Sequence, residues 1–164
     1  MSEYTKHLTP RPELRERIIE TAVKAFAAQG IKSITMDDIA TSLGISKRTL
    51  YEVFPDKETL LEECILRGQK EGDEYLKNVL AASENVLAVL LKGYSRSIVK
   101  FPATYNQFFE DIKKYPKAYK LMTKRHDQDS EETVNFFKEG VKQGIFRDDV
   151  NFAIINLLVR EQID

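Results

Sequence analysis

Apolar residues recur at helical spacing along nearly the whole chain, and the breaks between the runs are short. Leu14, Ile18, Ala22 and Phe26, with Ile19 and Val23 beside them, predict one buried stripe on a helix from Pro12 to about Gln29. Pro12 suits a first helical turn, and Gly30 stops the helix. From Thr35 to Phe54 the pattern shortens to two brief helices joined by a tight turn. Thr35 is an N-cap candidate, and Asp38 three residues on echoes a capping box. Ile39, Ala40 and Leu43 give the first short helix its apolar face, and Ala40 is small where two helices must cross closely. Gly44 suits the left-handed conformation that ends a helix, Ile45 plugs the turn, and Ser46 caps the next helix. Leu50, Val53 and Phe54 then return to the core.

Pro55 breaks the chain, and Asp56 caps a fourth helix over about 56–82. That helix buries Leu60, Leu61, Ile65 and Leu66, crosses an apolar-free waist over 67–74, and resumes with Tyr75, Leu76, Val79 and Leu80. Two apolar patches with a polar waist describe a connector between two cores, and Gly68 and Gly72 weaken the waist. A domain boundary is therefore expected near residues 67–74. Ser83 is the cap expected for a fifth helix, Glu84 to about Lys100, whose apolar residues cover most sides and predict a central position. Pro102 ends it, and a sixth helix over about 103–114 carries Tyr105, Phe108, Phe109 and Ile112. Pro116 opens a seventh, to about Gln143, with a charged middle over 124–132 and apolar Val134, Phe137 and Val141. An eighth begins near Asp149, and its apolar pattern is still running at Asp164. The predicted fold is all-α: a three-helix helix-turn-helix domain over 1–55, the connector, and a helical bundle over 75–164.

The two short helices carry the chemistry. Their core positions leave Lys47, Arg48, Thr49 and Tyr51 outside on the second one. These are hydrogen-bond donors and one aromatic near a helix N-terminus, which is what a helix needs to meet phosphates and base edges in a major groove. The competing reading is a helical hairpin that serves only as scaffold.

From Arg17 to Ile65 the chain resembles the TetR family of transcriptional regulators nearly throughout. The resemblance rests on Ala22, Phe26 and Gly30, on Ile39-Ala40, Gly44, Ser46, Thr49-Leu50-Tyr51 and Phe54, and on Lys57-Glu58 followed by Leu60. Lys47-Arg48 departs from it, because many members carry a small residue there; operator sequence does not carry over. The resemblance implies a ligand-responsive repressor that binds a palindromic double-stranded DNA operator as a homodimer. Candidate DNA contacts are Thr35, Ser46, Lys47, Arg48, Thr49, Tyr51 and Lys57. Aromatics at helical spacing are ordinarily core; the resemblance turns Tyr75, Tyr94, Phe101, Tyr105, Phe108, Phe109 and Phe137 into candidates for the pocket of a small hydrophobic effector. Phe152, Ile155, Leu158 and Val159, on the one helix with apolar residues left over, are candidates for the dimer interface. Family members continue with more of this helix and another, so the chain is expected to extend past Asp164.

Composition narrows the classes. Hydrophobic content of 42% and charged content of 31% are those of a soluble globular protein. Net charge is −1, and residues 1–60 hold nine Lys/Arg against nine Asp/Glu, so affinity for DNA has to come from local placement. A single cysteine, Cys64, excludes an internal disulfide, fits a reducing cytoplasm and is read as a buried structural thiol. His126 with Asp129 is read as part of a solvated face, not a metal site, and residues 1–9 as a frayed tail. No signal peptide and no membrane span are expected, and no Cys/His cluster, phosphate loop or Ser/His/Asp set points to an enzyme, a cofactor or a metal. Two alternatives remain: an all-α protein-interaction module, and a TetR-like DNA-binding protein without a small-molecule effector. Salt separates the first from DNA binding. A DNA reader should lose affinity for duplex DNA steeply and log-linearly with salt in an anisotropy titration; a scaffold hairpin should show no such binding.

Overall fold

The computed structural model describes residues 11–100, 105–151 and 154. Seven helices occupy these residues: α1 (Arg11–Gln29), α2 (Met36–Leu43), α3 (Lys47–Val53), α4 (Lys57–Ala81), α5 (Val86–Lys100), α6 (Tyr105–Ile112) and α7 (Pro116–Lys142). There is no strand among the described residues. No described helix is long and apolar enough to cross a membrane. The chain divides into two compact units, one of Met1–Arg67 with Pro102–Tyr119, the other of Gly68–Phe101 with Lys120–Asp164.

In the first unit α1 packs against α2, α3 and α6. Leu14, Ile18, Ile19, Ala22 and Phe26 of α1 are buried together with Ile39 and Ala40 of α2, Leu50 of α3, Phe54, and Leu60 and Leu61 of α4. Full burial of a side chain such as Leu50 contributes about 1.5–3 kcal/mol. Two ion pairs join α1 to α4 at the rim, Arg15 to Glu63 at 2.7 Å and Arg67 to Glu16 at 2.8 Å. The Arg15 guanidinium also lies over the Phe54 ring, 5.2 Å from its centroid. Cys64 is buried, and desolvation pushes its thiol up to about 12, which leaves it inert.

The sequence reading places everything from residue 75 onward in one domain; the structure groups Pro102–Tyr119 with the first unit instead. A buried carboxylate explains the difference. Asp111 of α6 accepts the Lys32 backbone N–H at 2.8 Å and the Gln107 amide at 3.0 Å. Ile112 and Ala118 are fully buried beside it, and Glu58 of α4 accepts the Lys117 N–H at 2.8 Å. No pattern in α6 alone announces that its partner is a backbone donor in the turn after α1.

In the second unit the α5 cap differs from expectation. The helix starts at Val86, and Asn85 accepts the Ala88 N–H at 3.0 Å, while Ser83 accepts from Lys92. The expected central position of α5 is not reached either. Val86 and Val89 are buried, but Leu87, Leu90 and Leu91 are exposed. Four other positions expected in apolar patches, Val23, Leu66, Leu76 and Leu80, are also exposed. Close to the eighth helix start expected near Asp149, Asn151 accepts the Ile154 N–H at 3.2 Å, the bond an N-cap makes.

Gly140 in α7 is where the second unit is tightest. A Cβ there would lie 2.2 Å from Phe146 Cδ2 and 2.8 Å from Val86 Cγ2, so only glycine lets the Phe146 ring rest on the helix backbone. That ring packs on Phe137, centroids 5.5 Å apart. Gly140→Ala should displace Phe146 and cost about 1–3 kcal/mol of stability, read as a lower urea midpoint at unchanged slope. An unchanged midpoint would show that Phe146 is not seated there.

Candidate nucleic-acid interface

The interface is built from three caps and a turn. Thr35 stands at the N-cap of α2 in extended conformation; its hydroxyl accepts the Asp38 N–H at 3.1 Å, and the Asp38 carboxylate accepts the Thr35 N–H at 2.8 Å, a complete capping box. The Thr35 hydroxyl and N–H hold the Asp38 carboxyl below its ordinary range. Gly44 closes α2 at φ 65°, a left-handed conformation that a side chain would strain. Ser46 caps α3 by accepting the Thr49 N–H at 3.0 Å, and its hydroxyl lies 2.8 Å from that of Thr49. Asp56 does the same for α4, accepting the Thr59 N–H at 2.7 Å. These bonds set where α2, α3 and α4 begin and where α2 ends.

With Leu50 wholly buried, α3 turns Lys47, Arg48 and Tyr51 outward, and all three are exposed. Neither cation is free. Lys47 is ion-paired with Asp37 of α2, and the bond raises its pKa. Arg48 Nε pairs with Glu52 at 3.0 Å along α3. Lys57 is placed differently from an exposed arm. Half-buried at the start of α4, its ammonium donates to the Ile31 carbonyl and lies 5.7 Å from the centroids of both the Phe26 and Tyr115 rings. Burial depresses its pKa, against the pull of Asp111 and Asp38. Thr35 and Ser46 use their hydroxyls in caps, and the Thr49 hydroxyl is bonded to that of Ser46. The candidate contacts therefore lie along one stretch of chain, but only Lys47, Arg48 and Tyr51 project from it.

The described aromatic candidates are divided between the two units. Phe108 and Phe109, edge to face at 5.9 Å, belong to the first unit. Tyr75 and Phe137 belong to the second, where the Tyr75 hydroxyl donates to the Lys92 carbonyl at 3.0 Å. Phe101 and the side chains of Tyr94 and Tyr105 lie outside the described residues, as do Phe152, Ile155, Leu158, Val159 and the side chains of His126 and Asp129. The second unit does hold an open cleft of about 440 Å³, lined by Leu80, Val86, Val89 and Phe136 with Asn85, Glu139 and Gln143 among its polar groups. Among the described aromatic candidates, none lines it. Sequence reasoning missed Asp37 and Glu52 as partners of the two cations; the i,i+4 spacing of Arg48 and Glu52 was a signal, but the Lys47–Asp37 pair needs the turn to form.

A capped pair of short helices with a cationic, aromatic outer face defines a helix-turn-helix module. The description "Bacterial regulatory proteins, tetR family" matches residues 18–64. The biofilm operon icaADBC HTH-type negative transcriptional regulator IcaR of Staphylococcus aureus is 32% identical over 72 residues, 44% of this chain and 37% of that protein. The HTH-type transcriptional repressor KstR2 of Mycolicibacterium smegmatis is 24% identical over 155 residues, 90% of this chain and 74% of that one. A TetR-family transcriptional regulator from Cytophaga hutchinsonii has the same fold, with a TM-score of 0.73 at 17% identity, over 96% of this chain and 83% of the other. Residues 18–64 are thus similar to the tetR family of bacterial regulatory proteins, and the chain shares the fold of a TetR-family regulator of known structure. The match to IcaR spans less than two fifths of that relative's length.

The placement of Lys57 generates a test. Lys57→Met keeps the apolar stem but leaves the Ile31 carbonyl without its donor and removes both ring contacts. It should lower stability by about 1–2 kcal/mol in urea unfolding. Wild-type stability in this variant would mean that the ammonium stands free of the fold.

Proposed function

We propose that this protein is a DNA-binding transcriptional regulator, a repressor that holds a palindromic operator as a homodimer and lets go when a small effector binds. One observation carries the reading: the core of the first unit takes Leu50 and Phe54, and so presents Lys47, Arg48 and Tyr51 together on the outer face of a capped helix. Arg48 is assigned the bidentate contact to guanine O6 and N7, and Lys47 a neighbouring base or phosphate. Tyr51, Thr35, Ser46 and Thr49 are assigned backbone contacts, which fix register without reading sequence. Lys57 is assigned a phosphate as well, reached by an ammonium that also braces the Ile31 carbonyl. Duplex DNA places this work in the cytoplasm.

One such module makes few base contacts, so useful specificity requires two copies about 34–36 Å apart on a two-fold site. The eighth helix, with Phe152, Ile155, Leu158 and Val159, is assigned the isologous contact. The cleft beside Val86 and Phe136 is assigned to the effector. Its apolar wall with amide and carboxylate groups suits a small, mainly apolar molecule with a polar end. Such an effector acts only by binding the DNA-incompetent arrangement better than the competent one.

The decisive experiment concerns Arg48. An operator enriched by the wild-type protein from a random-sequence library should bind Arg48→Ala more weakly by about 1–3 kcal/mol, while random duplex loses much less. Equal losses on both duplexes would make Arg48 a phosphate contact and remove its reading role.

A further inference from the structure

Both base-facing cations of α3 carry a carboxylate partner, and the arrangement is the wrong way round for helix stability. A helix favours anions in its first turn and cations in its last, and an i,i+4 pair is better with the acid first. α3 has Lys47 and Arg48 in its first turn, no acidic residue there, and Glu52 at its far end. The Arg48–Glu52 pair therefore gains little for the helix, and its members are 90% and 54% exposed. Lys47 reaches outside its own helix to Asp37, with both groups again exposed. Exposed pairs of this kind add little stability and exchange readily.

We propose that Asp37 and Glu52 are specificity determinants: they act as built-in counterions that keep Lys47 and Arg48 neutralised on random DNA and release them only to the operator. The inference rests on the DNA-reading function proposed above. On a random phosphate lattice, a paired cation gains one anion only by leaving another bare beside a polyanion. Sequence-independent affinity, which depends on cations released to phosphates, is thereby held down. At the operator, a base edge with two acceptors offers Arg48 a directional bond that the carboxylate does not match. Discrimination then comes from suppressing the wrong complex as much as from stabilising the right one. The balance of nine basic and nine acidic residues over positions 1–60 accords with this device.

The test uses the full chain, a 30-base-pair random-sequence duplex and the operator enriched by the wild type, with anisotropy across a salt series. Asp37→Asn and Glu52→Gln should each tighten binding to the random duplex about fivefold at low salt, the worth of one unit charge at contact distance in water. Each should steepen the log–log salt dependence by about one. The ratio of operator to random affinity should fall. The gains should vanish in Asp37→Asn/Lys47→Gln and Glu52→Gln/Arg48→Gln, where the released cation is absent. Unchanged random-DNA affinity and salt slope would overturn the proposal. So would gains that persist in the double variants, or a weakening of both duplexes alike, which would make the carboxylates positioning groups. A wild type that binds no duplex and enriches no operator overturns the functional reading itself.

Discussion

The burial of Leu50 and Phe54 against α1 sets the rotation of α3, and the chemistry of the outer face follows from that rotation. With 3.6 residues per turn, Arg48 and Glu52 each lie about 160° around the helix from Leu50, farthest from the core. Tyr51 and Lys47 lie to one side of them, about 100° and 60° around from Leu50. A helix of seven residues is too short to be stable alone, so its orientation has to come from packing and from the Ser46 cap. The same packing brings the start of α2 close enough for Asp37 to meet Lys47. Core, cap and ion pair are therefore one arrangement, and a change in the first alters the others.

Asp111 extends that unit beyond the N-terminal helices. A carboxylate that is almost wholly buried has to be satisfied, and here the donors are the Lys32 backbone N–H and Gln107. The neighbouring Tyr115 ring and the Glu58–Lys117 bond put the α6–α7 turn against the start of α4, where Lys57 sits. A displacement of α6 has to carry these bonds with it or break them. The element that holds the recognition helices is thus stitched partly from residues more than fifty positions downstream.

The second unit reads differently. Its tight point is Phe146 on the bare backbone of Gly140, and its loose side is the face of α5 that exposes Leu87, Leu90 and Leu91. Leu76 and Leu80 of α4 are exposed as well. A cleft with apolar walls opens beside Val86 and Phe136.

Local features were legible in the sequence. The Thr35–Asp38 capping box, Gly44, Ser46, Asp56 and Pro116 were each identified because a cap or a break is decided within a few residues of chain. The buried stripe of α1 was legible for the same reason, since one helix face is a periodic property, and its error at Val23 lies at the edge of the stripe, where periodicity does not say how wide the partner is. What the chain could not announce were pairings across distance. That Asp111 meets Lys32, that Lys57 turns inward to Ile31, that Asp37 holds Lys47, and that Asn85 in place of Ser83 caps α5 all depend on where separate helices come to lie. Spacing likewise shows only that aromatic side chains share a helix face, and the packing of that face against others determines which of them meet, as Phe137 meets Phe146.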